Sequence, residues 1–287
     1  MARIQKILFP VDFSSACDAM TPFVKRAAAM FAAKVTLMYV LEPPTSGFAP
    51  MARPLPDLRE DRKKAACSEL ESYLRTEFPL QEAPRIVAEG EAAAQIARIA
   101  REKDFDAIIM PTHAGVFRRM LLGSTTAKVL NDADCLVMTT QHAETILPRG
   151  LEHREWVCAI GLTADSERVL RIATGLADEV GARLTIIHAV PGAAGGSPMQ
   201  LDLEERVQSV ERQAAGERVE NLQKAVGSHA RVSIASGPMK DVLTGEACRF
   251  QADMLIIGRS SQPGTQGRLR DLTYAVVRDA PCPVLSV

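Results

Sequence analysis

Short apolar runs rich in β-branched residues alternate along this chain with longer segments whose apolar residues recur at helical spacing. The runs are nearly continuous in apolar residues, which is typical of strands buried on both faces of a sheet. Alternation of such strands with helices predicts a parallel, doubly wound α/β sheet. The predicted strands cover 6–11, 34–40, 84–88, 106–110 and 135–139, and then 155–160, 183–189, 230–234, 253–257 and 282–287. The helices between the first five strands are predicted at about 17–33, 57–77, 91–102 and 120–131.

The sequence also repeats itself after about 147 residues. ADCLVM at 133–138 resembles APCPVL at 280–285, and FDAIIM at 105–110 resembles ADMLII at 252–257, both at an offset of 147 residues. Further matching segments keep the same order along the chain. A repeat of this kind indicates that a whole domain has been duplicated.

The length of 287 residues favours two domains over one as well. The boundary is predicted within 141–155, where polar residues, a proline and a glycine separate two apolar runs. The two domains are therefore predicted to cover residues 1–141 and 152–287.

Charge and composition narrow the classes of partner. A net charge of −1 argues against a polybasic surface for nucleic acid or membrane. No apolar stretch approaches the ~18–20 residues that a membrane helix needs. The six cysteines form no CxxC pair and no zinc motif, and we interpret them as buried thiols in a reducing compartment. We therefore expect a cytoplasmic protein that binds neither nucleic acid nor membrane.

Ligands of open α/β sheets bind beyond the carboxyl ends of the strands. Asp12 directly follows the first predicted strand, and its carboxylate can accept hydrogen bonds from a ligand, although an aspartate there is also a common helix N-cap. After the fourth strand, glycines and hydroxyl side chains precede a helix, where backbone amides and the positive helix end can hold a phosphate. The alternative is an ordinary loop in which Ser124 caps the helix.

The segments ILFPVDFS, LMYV and IIMPTHAGVFRRMLLGSTTAKVLNDADCLVM together resemble the universal stress protein family, and the repeat makes the chain similar to a tandem member. The resemblance implies two parallel five-stranded sheets of flavodoxin/HUP-like topology with strand order 3-2-1-4-5. In nucleotide-binding members, an aspartate after strand one and a valine at the end of strand two hold adenosine, and a glycine-rich segment holds the phosphates and ribose. The cofactor-binding residues implied by position are Pro10, Val11, Asp12, Val40, Met110, Thr112, His113, Gly115, Gly123, Ser124 and Thr125.

The first half departs from the family pattern at two glycines. Pro111 and Ala114 stand where the pattern has glycine, and the spacer to Gly123 is eight residues rather than nine. Glycine permits positive φ and a close approach of the backbone to phosphate, which proline and alanine do not fully reproduce. Gly115 is a partial substitute.

The second half departs further. Gly161 takes the place of the aspartate, Ala189 takes the place of the valine, and Arg270 and Asp271 align with the glycine and serine ahead of the last helix. A carboxylate at that place would repel phosphate. The second half is therefore predicted to be a degenerate domain that does not bind ATP and has a structural or partner-binding role.

The function implied by the resemblance is an adenine-nucleotide-binding module in stress response or signalling, with an unidentified protein partner. The ligand would be ATP or a related adenine nucleotide, accompanied by Mg²⁺, in the first domain. No catalytic residue and no metal ligand is assigned, since no GxSxG, HExxH or P-loop motif is present. Hydrolysis would be weak at most, because the sequence shows no base or metal-binding cluster apart from Asp12. The alternative is an interaction or scaffold module that binds no nucleotide, which Pro111 and Ala114 favour. An enzyme on the same scaffold would need a second catalytic domain.

Two expectations concern assembly and shape. Single-domain members of the family pair through their last strands, so DCLVMTT and PCPVLSV are predicted to pair edge to edge and form an internal pseudo-dimer. A homodimer of the whole chain is expected as a further possible level of assembly. The charged segment 202–225 alternates in sign at helical spacing and predicts a long solvated helix.

Overall fold

The computed structural model describes residues 3–43, 56–112, 122–140, 154–192, 198–259 and 266–287. The chain divides into two compact units, built mainly from Ile4–Met138 and from Pro148–Val287. We call these units the first half and the second half.

The first half alternates strands with helices throughout. Its elements are β1 (Lys6–Val11), α1 (Ser15–Phe31), β2 (Lys34–Leu41), α2 (Pro56–Ser72), β3 (Arg85–Glu89), α3 (Ala92–Glu102), β4 (Ala107–Pro111), α4 (Ser124–Asp132) and β5 (Leu136–Thr140).

The second half follows the same order of elements. They are β6 (Glu155–Ala159), α5 (Ser166–Val180), β7 (Arg183–Val190), α6 (Pro198–Val226), β8 (Arg231–Ser236), α7 (Met239–Arg249), β9 (Met254–Ile257), α8 (Gln266–Asp279) and β10 (Val284–Ser286). Each of the ten predicted strands is present, with its bounds shifted by two residues at most.

The strand order is β3-β2-β1-β4-β5 within the first half and β8-β7-β6-β9-β10 within the second. β1 pairs in parallel with β2 and β4, and β6 pairs in parallel with β7 and β9. This confirms the predicted α/β class with a parallel sheet and alternating helices. The predicted division into two sheets and the predicted edge pairing concern the arrangement of the halves, and both stay predictions.

The central strands are buried on both faces, as their continuous apolar sequences predict. Ile7, Leu8 and Phe9 of β1 have no exposed surface, and Trp156 and Cys158 of β6 are at most 1% exposed. Burial on both faces leaves the strand ends as the places where a parallel sheet can present polar groups to a ligand.

The duplication is visible in the backbone as well as in the sequence. Left-handed or similar positive φ values are uncommon outside glycine, yet they recur at matching positions of the two halves, 147 or 149 residues apart. The matched pairs are Phe13 with Leu162, Ala32 with Gly181, Gly90 with Gly237, and Asp104 with Gln251. The two halves therefore share unusual local conformations even where the residue type has changed.

Helix α2 ends at Ser72, so the predicted end at 77 is wrong. The chain leaves the helix through Leu74, which has a left-handed φ of 49°. The cause lies outside the local sequence: the half-buried guanidinium of Arg85 binds carbonyl oxygens along this segment at 2.6–3.2 Å. The acceptors are the carbonyl oxygens of Leu70, Tyr73, Phe78 and Ala83.

The other predicted helices also differ in their bounds. Helix α1 lies two residues earlier than predicted, and α3 begins one residue later. The predicted start of α4 at 120 lies outside the described residues, and within them the helix begins at Ser124, directly after Gly123. Helix α6 extends to both sides of the predicted 202–225. Nearly all of its residues from 206 to 214 are exposed, whereas Ala215 and Val219 are buried, so the helix begins to pack only in its second part.

Candidate functional site

The turn after β1 presents a carboxylate at the carboxyl edge of the sheet, where the carboxyl ends of the parallel strands meet. Asp12 is exposed, and its Oδ1 accepts hydrogen bonds from the Ser14 N–H at 3.1 Å and from the Cys17 thiol at 3.1 Å. The N-cap of α1 is Ser14, whose hydroxyl accepts the Cys17 N–H at 3.4 Å. Asp12 is therefore not the helix cap that the alternative interpretation made it.

The Cys17 thiol is held in its protonated form beside Asp12. Burial, reinforced by the charge of Asp12, raises the pKa of this thiol to about 12. A thiol that keeps its proton at neutral pH continues to donate to Oδ1, so the carboxylate has a fixed orientation. Cysteine at this position carries no ligand-binding signal in the sequence, and its part in the site was missed.

Three aromatic side chains pack around the same turn. The Phe13 ring lies 4.6 Å from the ring of Tyr39 and 5.0 Å from that of Tyr73, between centroids. Tyr73 also donates from its hydroxyl to Asp18 Oδ1 at 2.5 Å. This aromatic cluster holds Phe13 in its left-handed conformation, with φ of 59°. The sequence analysis missed the cluster because its members come from three distant segments.

The end of β4 is joined to the start of α4 by two hydrogen bonds. The Gly123 N–H donates to the Thr112 carbonyl at 2.8 Å, and the Thr126 hydroxyl donates to the Pro111 carbonyl at 3.0 Å. Thr112 is buried, and so is Met110 at the end of the strand. These bonds place the first turn of α4 at the carboxyl edge.

Helix α4 begins without an N-cap side chain. Its N-cap is Gly123, and Ser124, which the alternative interpretation made the cap, is the exposed first residue of the helix. The amides of a first helical turn point out of the helix, and they carry the positive end of the helix dipole. The Ser124 and Thr125 hydroxyls lie at the same end, so the arrangement suits an anion.

The strand order brings these groups to one edge. β1 lies between β2 and β4. Asp12, which follows β1, is therefore flanked by Val40 at the end of β2 and by Thr112 directly after β4. Val40 is half-buried and lies opposite Ala88 of β3. Pro10 and Val11 are buried residues of β1 itself, and His113 and Gly115 lie outside the described residues.

A charged pair that the sequence analysis missed links the starts of α3 and α4. Lys128 Nζ lies 2.8 Å from Glu91 Oε1, and Glu91 is the N-cap of α3, accepting the Ala94 N–H at 2.7 Å. This pairing raises the pKa of Lys128 and lowers the pKa of Glu91. The pair is exposed and lies one turn into α4, where the two opposite charges offset each other.

The second half has a cavity at its own carboxyl edge, which we call the β6 cavity. Its volume is about 310 Å³, and it lies beside the residues that follow β6 and β9, below the first turns of α5 and α7. Gly161 and Ala189, which match Asp12 and Val40, both line it. The cavity is not apparent from the sequence, because it is formed by packing between helices rather than by a motif.

The start of α8 differs from the start of α4. Arg270 and Asp271 align with Gly123 and Ser124 in sequence, but α8 begins at Gln266, so both lie inside the helix. In the aligned sequences, the N-terminal end of α8, which is the end suited to an anion, therefore lies about one turn earlier than the N-terminal end of α4.

The described residues contain no group of three or more His, Cys, Asp and Glu side chains that could hold a metal ion. None of the helices they form is long and apolar enough to cross a membrane.

Comparison with known proteins gives consistent results for both halves. A model of the universal stress protein family matches residues 3–141 and, a second time, residues 154–287. Universal stress protein A homolog 1 from Coxiella burnetii is 26% identical over 143 residues, which are 48% of this chain and 97% of that protein. Homolog 2 from the same organism is 28% identical over 141 residues, which are 47% of this chain and 94% of that protein. Each of these relatives thus corresponds to about half of the chain.

A solved structure is similar over the full length. The crystal structure of a universal stress protein from Archaeoglobus fulgidus covers 100% of this chain and 97% of its own, with 18% sequence identity and a TM-score of 0.69. At this identity the likeness shows a shared fold and nothing more specific.

Proposed function

Because the chain belongs to the universal stress protein family, with two of its domains in tandem, we propose that its first half binds ATP or a related adenine nucleotide. The observation that carries this proposal is that Asp12 directly follows β1, while the uncapped start of α4 is bonded to the end of the neighbouring strand β4. An adenine nucleotide offers hydroxyl and amine donors at one end and phosphate oxygens at the other. It can therefore use both groups at once.

Asp12 is the proposed acceptor for the adenosine end. Its Oδ1 is held by Ser14 and Cys17, and its Oδ2 takes part in neither of those bonds. A carboxylate whose orientation is fixed before binding loses less conformational freedom when a ligand hydroxyl or amine donates to it. Val40 and Met110, at the ends of β2 and β4, are the proposed apolar contacts for adenosine.

The first turn of α4 is the proposed phosphate site. The bond from Gly123 to Thr112 fixes that turn at the carboxyl edge, and the Ser124 and Thr125 hydroxyls lie beside its amides. Lys128 lies one turn further into the helix, where the Glu91 carboxylate offsets its charge. Mg²⁺ is proposed to arrive with the phosphates and to neutralise part of their charge, since its usual ligands are carboxylate, phosphate and water oxygens.

The protein is proposed to act in stress response or signalling through occupancy. A nucleotide bound across β1 and α4 changes the surface that a protein partner meets, and this shifts the partner's affinity. Little or no hydrolysis is proposed, because Asp12, the carboxylate assigned to adenosine, is already engaged with Ser14 and Cys17 in holding the β1–α1 turn.

The experiment is a calorimetric titration of the full chain with ATP, compared with Asp12→Ala. Loss of a charged acceptor is expected to lower the affinity about 10- to 100-fold, since hydrogen bonds to charged groups contribute ~1.5–3 kcal/mol. The matched control is Asp134→Ala. Asp134 is an exposed aspartate just before β5, and it pairs with Arg101 of α3. Equal affinities in wild type and Asp12→Ala would refute the assignment of Asp12.

A second candidate function is an interaction module without nucleotide. The observation that favours it is Pro111, which ends β4 at the place of a family glycine and has its carbonyl bound by Thr126. Native mass spectrometry of the purified protein separates the two functions. Bound ATP or AMP supports the nucleotide module, and an empty protein that gains no mass with added ATP supports the interaction module.

A further inference from the structure

We propose that the second half binds a small, uncharged and largely apolar molecule in the β6 cavity. This ligand belongs to a different class from the nucleotide proposed for the first half, and the proposal does not depend on that nucleotide. The walls of the cavity, the charges of its lining, its rim and its size all favour such a ligand.

The walls are formed by buried aliphatic side chains from four elements. Ile160 follows β6, and Val169, Leu243 and Val276 belong to α5, α7 and α8. Each of the four is at most 5% exposed. A wall of this kind offers few hydrogen-bonding groups and stabilises a ligand by removing apolar surface from water, at roughly 25 cal/mol per Å².

The charged side chains of the described lining residues are balanced in sign. Among the lining residues that the structure describes, Asp165 carries a negative charge and Arg259 a positive one. The Ser166 hydroxyl, which also lines it, accepts the Thr163 N–H at 2.8 Å and is thus engaged in the local turn. A lining with one charge of each sign and largely aliphatic walls favours an uncharged ligand over an anion.

The groups proposed to hold a nucleotide in the first half are replaced here. Gly161 stands where Asp12 presents its carboxylate, so the position offers no side-chain acceptor to a ribose hydroxyl. Arg270 and Asp271 lie within α8 rather than at its start. The shared fold therefore provides a pocket at the same edge with different chemistry.

The rim extends the apolar surface towards solvent. Met239, the first residue of α7, lines the cavity and is 41% exposed. Exposed apolar surface beside a concave site is typical of a binding surface, and the flexible thioether side chain of methionine adapts to different ligand shapes. Gly258 also lines the cavity and lies close to Val169, since a Cβ at Gly258 would be 2.9 Å from Val169 Cγ2.

The size of the cavity limits the ligand. A volume of about 310 Å³ is at the lower end of the range of ligand pockets, which is roughly 300–1,000 Å³. The predicted ligand is thus a compact molecule with up to three rings or with a short aliphatic chain.

In the experiment, the uncharged dye 1-N-phenylnaphthylamine is titrated into the full chain. The dye consists of a naphthyl group and a phenyl ring joined by an amine, and it fluoresces when it leaves water. Met239→Arg places a charge on the rim at an exposed position. Val207→Arg is the matched control, because Val207 is also an exposed hydrophobic residue of the second half, at 50%, and does not line the cavity. Thr273→Phe, at a half-buried lining residue of α8, fills the cavity from another side.

Saturable binding of one dye per chain is expected, weakened about tenfold or more by Met239→Arg and by Thr273→Phe, unchanged by Val207→Arg, and not displaced by ATP. Absence of saturable binding, or equal loss in Val207→Arg and Met239→Arg, would overturn the proposal. Displacement by ATP would also overturn it, since the cavity would then be a nucleotide site. Circular dichroism verifies that each variant is folded. If Thr273→Phe does not fold, the comparison of Met239→Arg with Val207→Arg tests the proposal.

Discussion

The turn after the first strand has the same backbone conformation in both halves but is held in different ways. In the first half, the left-handed Phe13 is packed between Tyr39 and Tyr73. In the second half, the left-handed Leu162 has its carbonyl bound by the Arg218 guanidinium at 2.9 Å, from the long helix α6. The conformation has thus persisted while the contacts that support it have changed.

The same turns differ in what they present to a ligand. Asp12 presents an oriented carboxylate, and Gly161 presents no side chain beside a cavity with aliphatic walls. A fold preserves the place of a site more readily than its chemistry, because the place follows from strand order and the chemistry from a few side chains. One duplicated scaffold can therefore present two kinds of site in a single chain.

The largest effect is expected from Gly123→Asp, which tests the phosphate end of the first half. Aspartate is a favoured N-cap, so α4 should be as stable as before or more stable. Its carboxylate would repel phosphate, and we expect ATP affinity to fall at least about 100-fold. Calorimetry measures the affinity, and thermal unfolding measures the stability. ATP affinity that survives this change would place the phosphate elsewhere.

The next effect is on stability and concerns Arg85. Arg85→Met removes four hydrogen bonds to backbone carbonyls and is expected to destabilise the first half by about 2–4 kcal/mol, at ~0.5–1 kcal/mol for each of these partly exposed bonds. Arg231→Met is the comparison in the second half, where the guanidinium lies 5.9 Å from the Phe250 ring and contributes ~0.5–1 kcal/mol. Hydrogen exchange read separately over the two halves measures both. Equal losses would remove the special role of Arg85.

A third comparison uses the matched left-handed residues. Glycine adopts positive φ without strain, so Phe13→Gly and Leu162→Gly relieve the same backbone cost. Phe13→Gly also removes two aromatic contacts, each of ~0.5–1.5 kcal/mol, and should be more destabilising than Leu162→Gly by about 1–3 kcal/mol. Chemical unfolding of the two variants gives the difference. A larger loss in Leu162→Gly would show that the aromatic cluster does not hold the turn.

The smallest effect is on acid stability. The hydrogen bond from Arg278, together with Lys240, lowers the pKa of Asp279 from 3.8 to about 2. A carboxyl group with a lowered pKa stabilises the fold above its unfolded value, and this stabilisation is lost as the pH falls from about 4 to about 2. Because Asp279 is partly exposed, the expected contribution is about 1 kcal/mol.

Asp279→Asn should therefore weaken the acid dependence of the second half. The matched control is Asp132→Asn, at the equivalent position of the first half, where the preceding residue is Asn131 rather than an arginine. Unfolding followed at pH 6, 4 and 2 measures the effect. An unchanged acid profile in Asp279→Asn would exclude this ion pair as a source of acid sensitivity.

The sequence was sufficient to predict the strands and the repeat, because buried parallel strands have short apolar sequences and a duplication makes these sequences occur twice. It was not sufficient for features that depend on contacts between residues distant in sequence. The end of α2 is determined by Arg85, and the orientation of Asp12 depends on Cys17, neither of which carries a local signal. The β6 cavity was missed for the same reason, since it depends on how α5, α7 and α8 pack.

The most direct test of the account is the stoichiometry of ATP binding to the full chain, measured by calorimetry in the wild type and in Gly123→Asp. The account predicts one ATP per chain in the wild type and none in the variant, while the apolar dye still binds to both. Two ATP molecules per chain, or one that persists in Gly123→Asp, would contradict it.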